Sequence, residues 1–438
     1  LKVFLFIFNM LFEINFETYG CTANKNSTEI MKGLVRQAGL NITASEEFAD
    51  LIVINSCIVK ESTQEKIRRR VQELLKKYKS KKIILAGCMP CLNKKGLQKQ
   101  NLYLLDTSQT KNIIDLIQDI QNQTYDAEKY LKKRNEVKSN LPKISKEKFI
   151  AINQISEGCL GECSYCIVRF AKGKLFSYPK EKIIESIKND LNAGAKEIWI
   201  TSQDNANYGN EDGKYLLPEL LKEILSLKGN FHVRLGMMNP NNVLKILPEL
   251  IELYKNEKMF KFLHFPIQSG SDKVLKEMNR KYKVKDVLKI INEFKKHLPE
   301  ITLATDIIVG YPTETERDFQ ETLNLIKEIK PGILNRSNFC IRKGTPSEKL
   351  TQLDSKIINQ RATMLMNLHL EICREIQKPY LNQMLKVFVN QKGFGSTSLA
   401  RTQNYKLVAV QSKDKILGKQ VSVKIKKIMP HYLIASVV

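Results

Sequence analysis

The sequence predicts an α/β chain in three parts: an N-terminal open parallel α/β domain over residues 13–130, a central partial (β/α)6 barrel over 149–376, and a small C-terminal β-barrel over 377–438. Three observations predict it. Residues 13 to about 125 alternate short apolar strands with segments of helical periodicity, and residues 149 to about 375 do so again through six strand–helix units. The last sixty or so residues change to short β-branched strands separated by turns containing Gly and Lys. Repeated βα units favour parallel sheets, and clustered short strands favour a small closed barrel. A chain of 438 residues is expected to form two or three domains.

Taken in order, Leu1 to Phe16 is apolar but is interrupted by Lys2, Asn9, Glu13 and Asn15. It is too short to span a bilayer, and no small-residue cleavage site follows it, so residues 1–12 read as an extension of undetermined structure. The chain opens on Leu rather than Met, which fits an alternative start codon or a trimmed form. Glu13–Tyr19, Asp50–Asn55, Lys82–Gly87 and Leu102–Asp106 read as strands; Lys25–Gly39, Gln64–Tyr78 and Thr110–Gln121 read as helices. The stretch 131–148 carries seven Lys or Arg with little apolar content and reads as a basic linker or a solvated helix. Strands follow near Phe149–Gln154, Glu197–Ser202, Phe231–Gly236, Phe262–Pro266, Thr302–Val309 and Ile333–Ile341, then Met384–Asn390, Lys406–Val410, Gln420–Ile428 and His431–Val437.

Lys and Arg number 71 against 46 Asp and Glu, a net charge of +25. That excess suggests a polyanionic partner, most simply nucleic acid, although abundant Lys, Ile and Asn show that compositional bias contributes. Nine cysteines with no secretory signal point to a reducing, cytoplasmic setting and to metal or redox use rather than disulfides; no membrane segment is expected.

Cys159, Cys163 and Cys166 stand in one short run with the spacing C-x3-C-x2-C. Three thiolates on one loop can hold three irons of a four-iron cubane and leave the fourth iron open, whereas ferredoxin clusters use four cysteines and pass only electrons. Zinc is the competing reading, but it favours paired C-x2-C knuckles and a closed shell of four ligands, and no fourth Cys or His lies nearby. The spacing resembles the radical S-adenosylmethionine (SAM) enzymes. The resemblance implies that the open iron binds SAM and that an injected electron, from a donor such as a ferredoxin or flavodoxin, releases a 5′-deoxyadenosyl radical.

Cys21, Cys57 and Cys88 each fall where a predicted strand ends, and the carboxyl ends of parallel strands are where such sheets put ligand sites. Cys91 makes a C-x2-C with Cys88 and is read as a bystander; Cys340 and Cys373 are read as buried, inert thiols. The runs Tyr19-Gly-Cys-Thr-Ala-Asn-Lys-Asn, Asn55-Ser-Cys-Ile-Val-Lys-Glu-Ser-Thr and Ala86-Gly-Cys-Met-Pro resemble the N-terminal domain of the methylthiotransferases. Further matches run through Thr201-Ser-Gln-Asp, Arg234-Leu-Gly-Met-Met-Asn-Pro, His264-Phe-Pro-Ile-Gln-Ser-Gly-Ser-Asp, Met278-Asn-Arg-Lys-Tyr and Thr305-Asp-Ile-Ile-Val-Gly-Tyr-Pro-Thr-Glu-Thr. They are most similar to the archaeal and eukaryotic branch that methylthiolates N6-threonylcarbamoyladenosine in tRNA.

This resemblance implies two [4Fe–4S] clusters, on Cys21, Cys57 and Cys88 and on Cys159, Cys163 and Cys166, with one SAM supplying a methyl group and another the radical. It implies that Tyr165 lies against the SAM adenine, and Asp204, Gln268, Ser269, Asp306 and Gly310 stand at or past strand ends as further candidate SAM contacts; for Asp306 and Gly310 a strand end and a turn are the competing readings. Lys172 replaces the Arg usual in relatives and cannot reproduce its bidentate contacts, and Arg342-Lys-Gly-Thr replaces Arg-Pro-Gly-Thr. The C-terminal strands look like a TRAM domain, an RNA-binding module. There Arg401, Asn404, Tyr405 and Lys406 combine cation with aromatic as single-stranded RNA recognition needs. Arg234 and Arg336 are candidates to pair with the threonylcarbamoyl carboxylate in a tRNA anticodon loop. Rival substrates are isopentenyladenosine tRNA and a ribosomal-protein aspartate, and the remote alternative is a non-enzymatic RNA-binding iron–sulfur protein.

Overall fold

The computed structural model describes residues 12–92, 99–412 and 415–438, so the extension expected over residues 1–12 lies, but for Phe12, outside the described residues. The chain divides into two compact units: 1–146 with 152–160 and 167–186, and 147–151 with 161–166 and 187–438.

The first unit is built on five parallel strands in the order β2-β1-β3-β4-β5, where β1 is Glu13–Thr18, β2 Asn41–Ile42, β3 Leu51–Ser56, β4 Lys82–Gly87 and β5 Leu102–Asp106. Alternate strand residues face opposite ways and fill two separate cores. Ile52, Ile54, Ile83 and Leu85 pack with Ile67, Val71 and Leu74 of the helix Glu61–Lys77. Leu51, Val53 and Ile84 pack on the other face with Met31 and Val35 of the helix Thr22–Gln37 and with Ile113, Leu116 and Ile117 of the helix Ile113–Gln121. The strand β2 and the short helix Ala127–Leu131 are additions to the sequence reading.

The stretch 131–148 is neither a solvated helix nor a free linker. It runs extended against the first unit: Ile144 N–H donates to Glu29 O at 2.9 Å, and a Cβ on Gly33 would lie 2.2 Å from Pro142 O, so this helix position has room only for glycine. Lys138, one of its expected surface charges, is fully buried.

The first unit also holds a short antiparallel pair, β7 (Ser156–Glu157) and β8 (Phe176–Ser177), and the second contains the barrel strands except residues 152–154, which belong to the first. β6 (Ile150–Gln154) enters through Phe149 O, which accepts from the amides of Lys196 and Glu197 beside β9 (Glu197–Thr201); β10 (His232–Leu235) completes the sheet β10-β9-β6. β11 (Phe262–Gln268), β12 (Thr302–Val309) and β13 (Ile333–Asn338) form a second parallel sheet. The six expected strands therefore make two three-stranded sheets rather than one continuous wall, joined at β10 and β11 through the Val233–Met259 bridge and Met238 N–H to His264 O. The 23-residue helix Ser355–Gln377 leads to a closed barrel in the order β14-β15-β16-β18-β17. Its strands are β14 Met384–Lys392, β15 Thr397–Arg401, β16 Leu407–Gln411, β17 Gln420–Ile428 and β18 Leu433–Val437. β15 was missing from the sequence reading. Alternating Val387, Val389, Val408, Val410, Val423, Ile425, Leu433 and Ala435 fill its interior.

This barrel docks at the amino ends of the parallel strands. Asn390 donates to Glu197, the first residue of β9, and Thr302, the first of β12, donates to Asn404 O at 2.6 Å. Tyr405 packs between Phe260 and Phe262 at the start of β11.

Candidate functional site

In the first unit, in-register parallel pairing brings Thr18, Asn55, Gly87 and Asp106 to one sheet edge, and Cys21, Cys57 and Cys88 follow directly. Asn24, in the first turn of the helix Thr22–Gln37, sits among them. Its amide donates to Tyr19 O and Ser56 O, and the sulfurs of Cys21 and Cys88 each lie 3.9 Å from its Oδ1. Gly20 has φ +101°, and a Cβ there would lie 2.7 Å from the Cys57 sulfur, so the Gly before Cys21 lets the two cysteines approach. Burial pushes the Cys88 thiol up to about 12 and raises that of Cys57 as well. The three sulfurs are spread more widely than the donors of one ion: the triad is absent from the groups of three ligand atoms within 4.8 Å among the described residues. Cys91 stands apart, its thiol donating to Asp106 Oδ2 at 2.8 Å; burial and that carboxylate raise it well above the usual thiol range.

A buried charge network lies beside these thiols. Glu157 accepts from Lys138 at 2.9 and 3.1 Å and from Lys172 at 2.6 Å, and Thr107 bonds to both lysines. Burial alone would raise the Glu157 carboxyl, but the two ammonium groups hold it at about 2. Burial would likewise lower Lys172; Glu157 and then Cys88 hold its pKa above the usual lysine value. Two cations share one close carboxylate, and Lys172 is the one that also faces Cys88 and Cys21. The Lys at position 172, which sequence comparison left without a role, is thus a counter-charge for the cysteine edge. Glu136 is near enough to matter, but burial raises its carboxyl to about 7.

Cys159 belongs to the first unit, its N–H bonded to Gly173 O at 3.2 Å; Cys163 and Cys166 belong to the second unit. There Arg280 Nη1 donates to the Cys163 sulfur at 3.2 Å. The same guanidinium bonds to Asn239 Oδ1 and to Pro266 O, and Tyr282 OH donates to Ile267 O. These two side chains satisfy carbonyls freed by the irregularity between Phe265 and Gln268 in β11. Sequence reading missed Arg280 as a functional residue although the Met278-Asn-Arg run contains it, because its target lies 117 positions away.

The expected SAM contacts divide. Tyr165 is half-buried against Val274, Met278, Tyr311 and Phe339, with Cys163, Cys166 and Arg280 around its phenol. Gln268 stands at the carboxyl end of β11 in the left-handed region, φ +77°, a strained conformation for a residue with a side chain. Asp306 receives His264 Nε2 at 2.9 Å on the half-buried inner face of the sheet; it lies within β12, not at a strand end. Three of the expected contacts are engaged within the protein. Asp204 is consumed structurally, accepting from the amides of Ala206 and Asn239 and from the side chains of Asn207 and Asn242. It positions Asn239 and so Arg280. Ser269 is fully buried, accepts from Ser271 N–H and faces Thr322. Gly310 forms a turn at φ +79°, its N–H held by Glu314. Ser202 Oγ and Asn205 Oδ1, just past β9, are buried polar atoms with no protein partner and were not anticipated.

The RNA-facing expectations change more. Tyr405 is 5% exposed and Asn404 is buried, both in the joint to β11 and β12. Lys406 packs toward Cys373 and Gly332, and burial lowers its pKa. Arg401 lies over the Tyr405 ring at 4.3 Å. Arg234 is held among Trp199, Phe262 and Tyr405 with Glu197 answering its charge. None of the buried members of this group is a stacking surface. Arg336 stays half-exposed on β13 beside Asn338. An aromatic in open water is Phe394, 98% exposed at the β14–β15 turn next to exposed Lys392. Cys340 is half-exposed, not buried, whereas Cys373 is buried as expected.

Comparison with known proteins accords with this geometry. Residues 13–105 match the uncharacterized protein family UPF0004, 153–326 the Radical SAM superfamily and 378–438 the TRAM domain. The chain is 37% identical over 422 residues to a probable threonylcarbamoyladenosine tRNA methylthiotransferase of Archaeoglobus fulgidus, covering 95% of this chain and 97% of that one. It is 37% identical over 431 residues to the Pyrococcus horikoshii protein of the same name, covering 97% and 99%, and 33% identical over 428 residues to the human threonylcarbamoyladenosine tRNA methylthiotransferase, covering 95% and 72%. In fold it is similar to the radical SAM methyltransferase TsrM of Kitasatospora setae, solved with cobalamin and a [4Fe-4S] cluster, with TM-score 0.54, 12% identity and coverage of 77% and 74%. It is also similar to the cobalamin-dependent enzyme OxsB, with TM-score 0.51, 12% identity and coverage of 83% and 56%. Sequence identity of this order over nearly the whole chain, together with the two cysteine triads, means that the chain belongs to the threonylcarbamoyladenosine tRNA methylthiotransferase family of radical SAM enzymes.

Proposed function

We propose that this protein converts N6-threonylcarbamoyladenosine beside a tRNA anticodon into its 2-methylthio derivative, with one [4Fe–4S] cluster on Cys159, Cys163 and Cys166 and a second on Cys21, Cys57 and Cys88. The observation that carries the two-cluster reading is the buried Lys138–Glu157–Lys172 network beside the second triad, whose surplus ammonium suits an anionic cluster. Bound clusters and SAM supply radical, methyl and sulfur chemistry that no side-chain acid, base or nucleophile can perform at the unactivated C2–H bond of adenine.

The chain's own residues bind and orient. Arg280 draws the Cys163 sulfur and the β11 irregularity toward one another through charge-assisted bonds, and Asp204 steadies it through Asn239. Tyr165 offers an aromatic face beside that loop. The unpartnered Ser202 Oγ and Asn205 Oδ1 and the strained Gln268 are the polar groups at strand carboxyl ends left for the nucleoside and amino-acid parts of SAM. tRNA is gripped by exposed Lys386, Lys392, Lys419, Lys426 and Lys427 of the C-terminal barrel, with Phe394 as its stacking surface. Arg336 remains the candidate for the threonylcarbamoyl carboxylate. The electron donor is a small redox protein such as a ferredoxin or flavodoxin, and the setting is cytoplasmic. Among the described residues no helix is long and apolar enough to cross a membrane.

The test is mass spectrometry of nucleosides after anaerobic reaction with tRNA carrying threonylcarbamoyl, isopentenyl or no modification. Methylthiolation of the threonylcarbamoyl tRNA alone is expected; equal reaction of the isopentenyl tRNA overturns the substrate assignment.

A further inference from the structure

The chain has five histidines, and two of them meet a cysteine far from both cysteine triads in sequence. His369 and Cys373 are four residues apart on the helix Ser355–Gln377, which places them on one face, and His431 comes from the turn between β17 and β18. Their ligand atoms all lie within 4.8 Å of one another, the one such group of three His, Cys, Asp or Glu among the described residues. Cys373 Sγ is 3.3 Å from His369 Nε2 and 3.9 Å from His369 Nδ1, and the two imidazoles face each other at 5.9 Å and 24°. Gln377, four residues further along the same face, donates to Met429 O at 2.7 Å and to Pro430 O at 2.6 Å, holding the turn that presents His431.

From these positions we propose that His369, Cys373 and His431 form a zinc site that fastens the helix Ser355–Gln377 to the C-terminal barrel. Two imidazoles and a thiolate are a donor set that borderline-soft zinc favours, and bonds of about 2.0 and 2.3 Å to nitrogen and sulfur need only a small closure of the present spacing. The metal takes Nδ1 of His369, because Nε2 lies 3.2 Å from Pro331 O and keeps that carbonyl as its orienting partner. The buried pair supplies two ligands, exposed His431 the third, and water on the His431 side the fourth. Three donors placed by two elements far apart in sequence close a loop of about sixty residues, so the ion stabilises the joint by the same reasoning as a cross-link.

The experiment uses full-length protein with its iron–sulfur clusters reconstituted, incubated with one equivalent of zinc(II) and desalted, followed by zinc and iron analysis and zinc-edge X-ray absorption. One zinc per chain with two nitrogens and one sulfur is expected. His431→Ala, a change at an exposed position, should lose the zinc and its thermal stabilisation while iron content stays constant. Cys373→Ser should also lose the zinc; should it not fold, the His431 variant still decides. No zinc retained by the parent protein, equal zinc in the parent and His431→Ala, or a sulfur-rich zinc environment drawn from the cluster cysteines would each overturn the proposal.

Discussion

Lys172 gives the sharpest test of the cysteine edge. Its ammonium is 2.6 Å from Glu157 Oε1 in a fully buried setting. At an effective dielectric constant of 20 that separation corresponds to a gross attraction of about 6 kcal/mol. Desolvation of both groups offsets much of it, and removing one partner of such a pair costs about 3–5 kcal/mol. Glu157 keeps Lys138 after Lys172→Met, so the lower end, about 3 kcal/mol, is the expected loss. For a unit of this size that lowers the melting temperature by roughly 6–12 °C. The double variant Lys172→Met/Glu157→Gln leaves Lys138 without its partner, and a thermodynamic cycle over the four proteins should show a coupling of about 0.5–3 kcal/mol. Thermal melting of cluster-loaded protein, followed by far-ultraviolet dichroism and by cluster absorbance, reads both quantities. Lys172→Met should also lose cluster absorbance before secondary structure, because a counter-charge for Cys88 and Cys21 has gone. A coupling below about 0.5 kcal/mol, the noise of independent sites, or coincident loss of both signals at the parent temperature would refute the reasoning.

Further outcomes follow from the same geometry. Replacing Cys159, Cys163 and Cys166 by Ala should halve iron from about eight per chain and abolish SAM cleavage, while replacing Cys21, Cys57 and Cys88 should halve iron and leave some cleavage; full iron retention in either variant sinks the ligand assignment. Glu136 has its folded pKa raised from 4.5 to about 7, so the folded state binds more protons and stability falls as pH rises from 4.5 to 7. Glu136→Gln should therefore stabilise the protein by up to about 3 kcal/mol at pH 8 and by nothing below pH 4.5, measured by melting across that range. Phe394→Ala should weaken tRNA binding by about 5- to 150-fold, the range of one base–aromatic stack, without moving the melting temperature; Tyr405→Ala should instead lower stability by about 3–5 kcal/mol. A filter-binding assay paired with thermal melting separates the two, and the opposite pattern would return Tyr405 to the RNA surface.

Local pattern alone established much of this protein. Alternation of apolar strands with helical periodicity specified parallel sheets, and parallel in-register strands end on one edge, so Cys21, Cys57 and Cys88 could be brought together without coordinates. Cys159, Cys163 and Cys166 are neighbours in the chain itself. Tertiary structure decided what depends on burial and on partners distant in sequence. A Lys in a basic stretch reads as surface, yet Lys138 is buried because Glu157, nineteen positions away, answers its charge. Arg280 reaches Cys163 across 117 positions. Asp204 looks like a ligand at a strand end until its carboxylate is found already saturated by the loops after β9 and β10. Tyr405 and Phe394 both lie in turns of the C-terminal barrel, and only the docking of that barrel on the amino ends of β11 and β12 buries one and leaves the other in water. Spacing records which groups neighbour one another along the chain; whether a charge is neutralised or a ring is covered depends on elements that lie from about twenty to well over a hundred residues away.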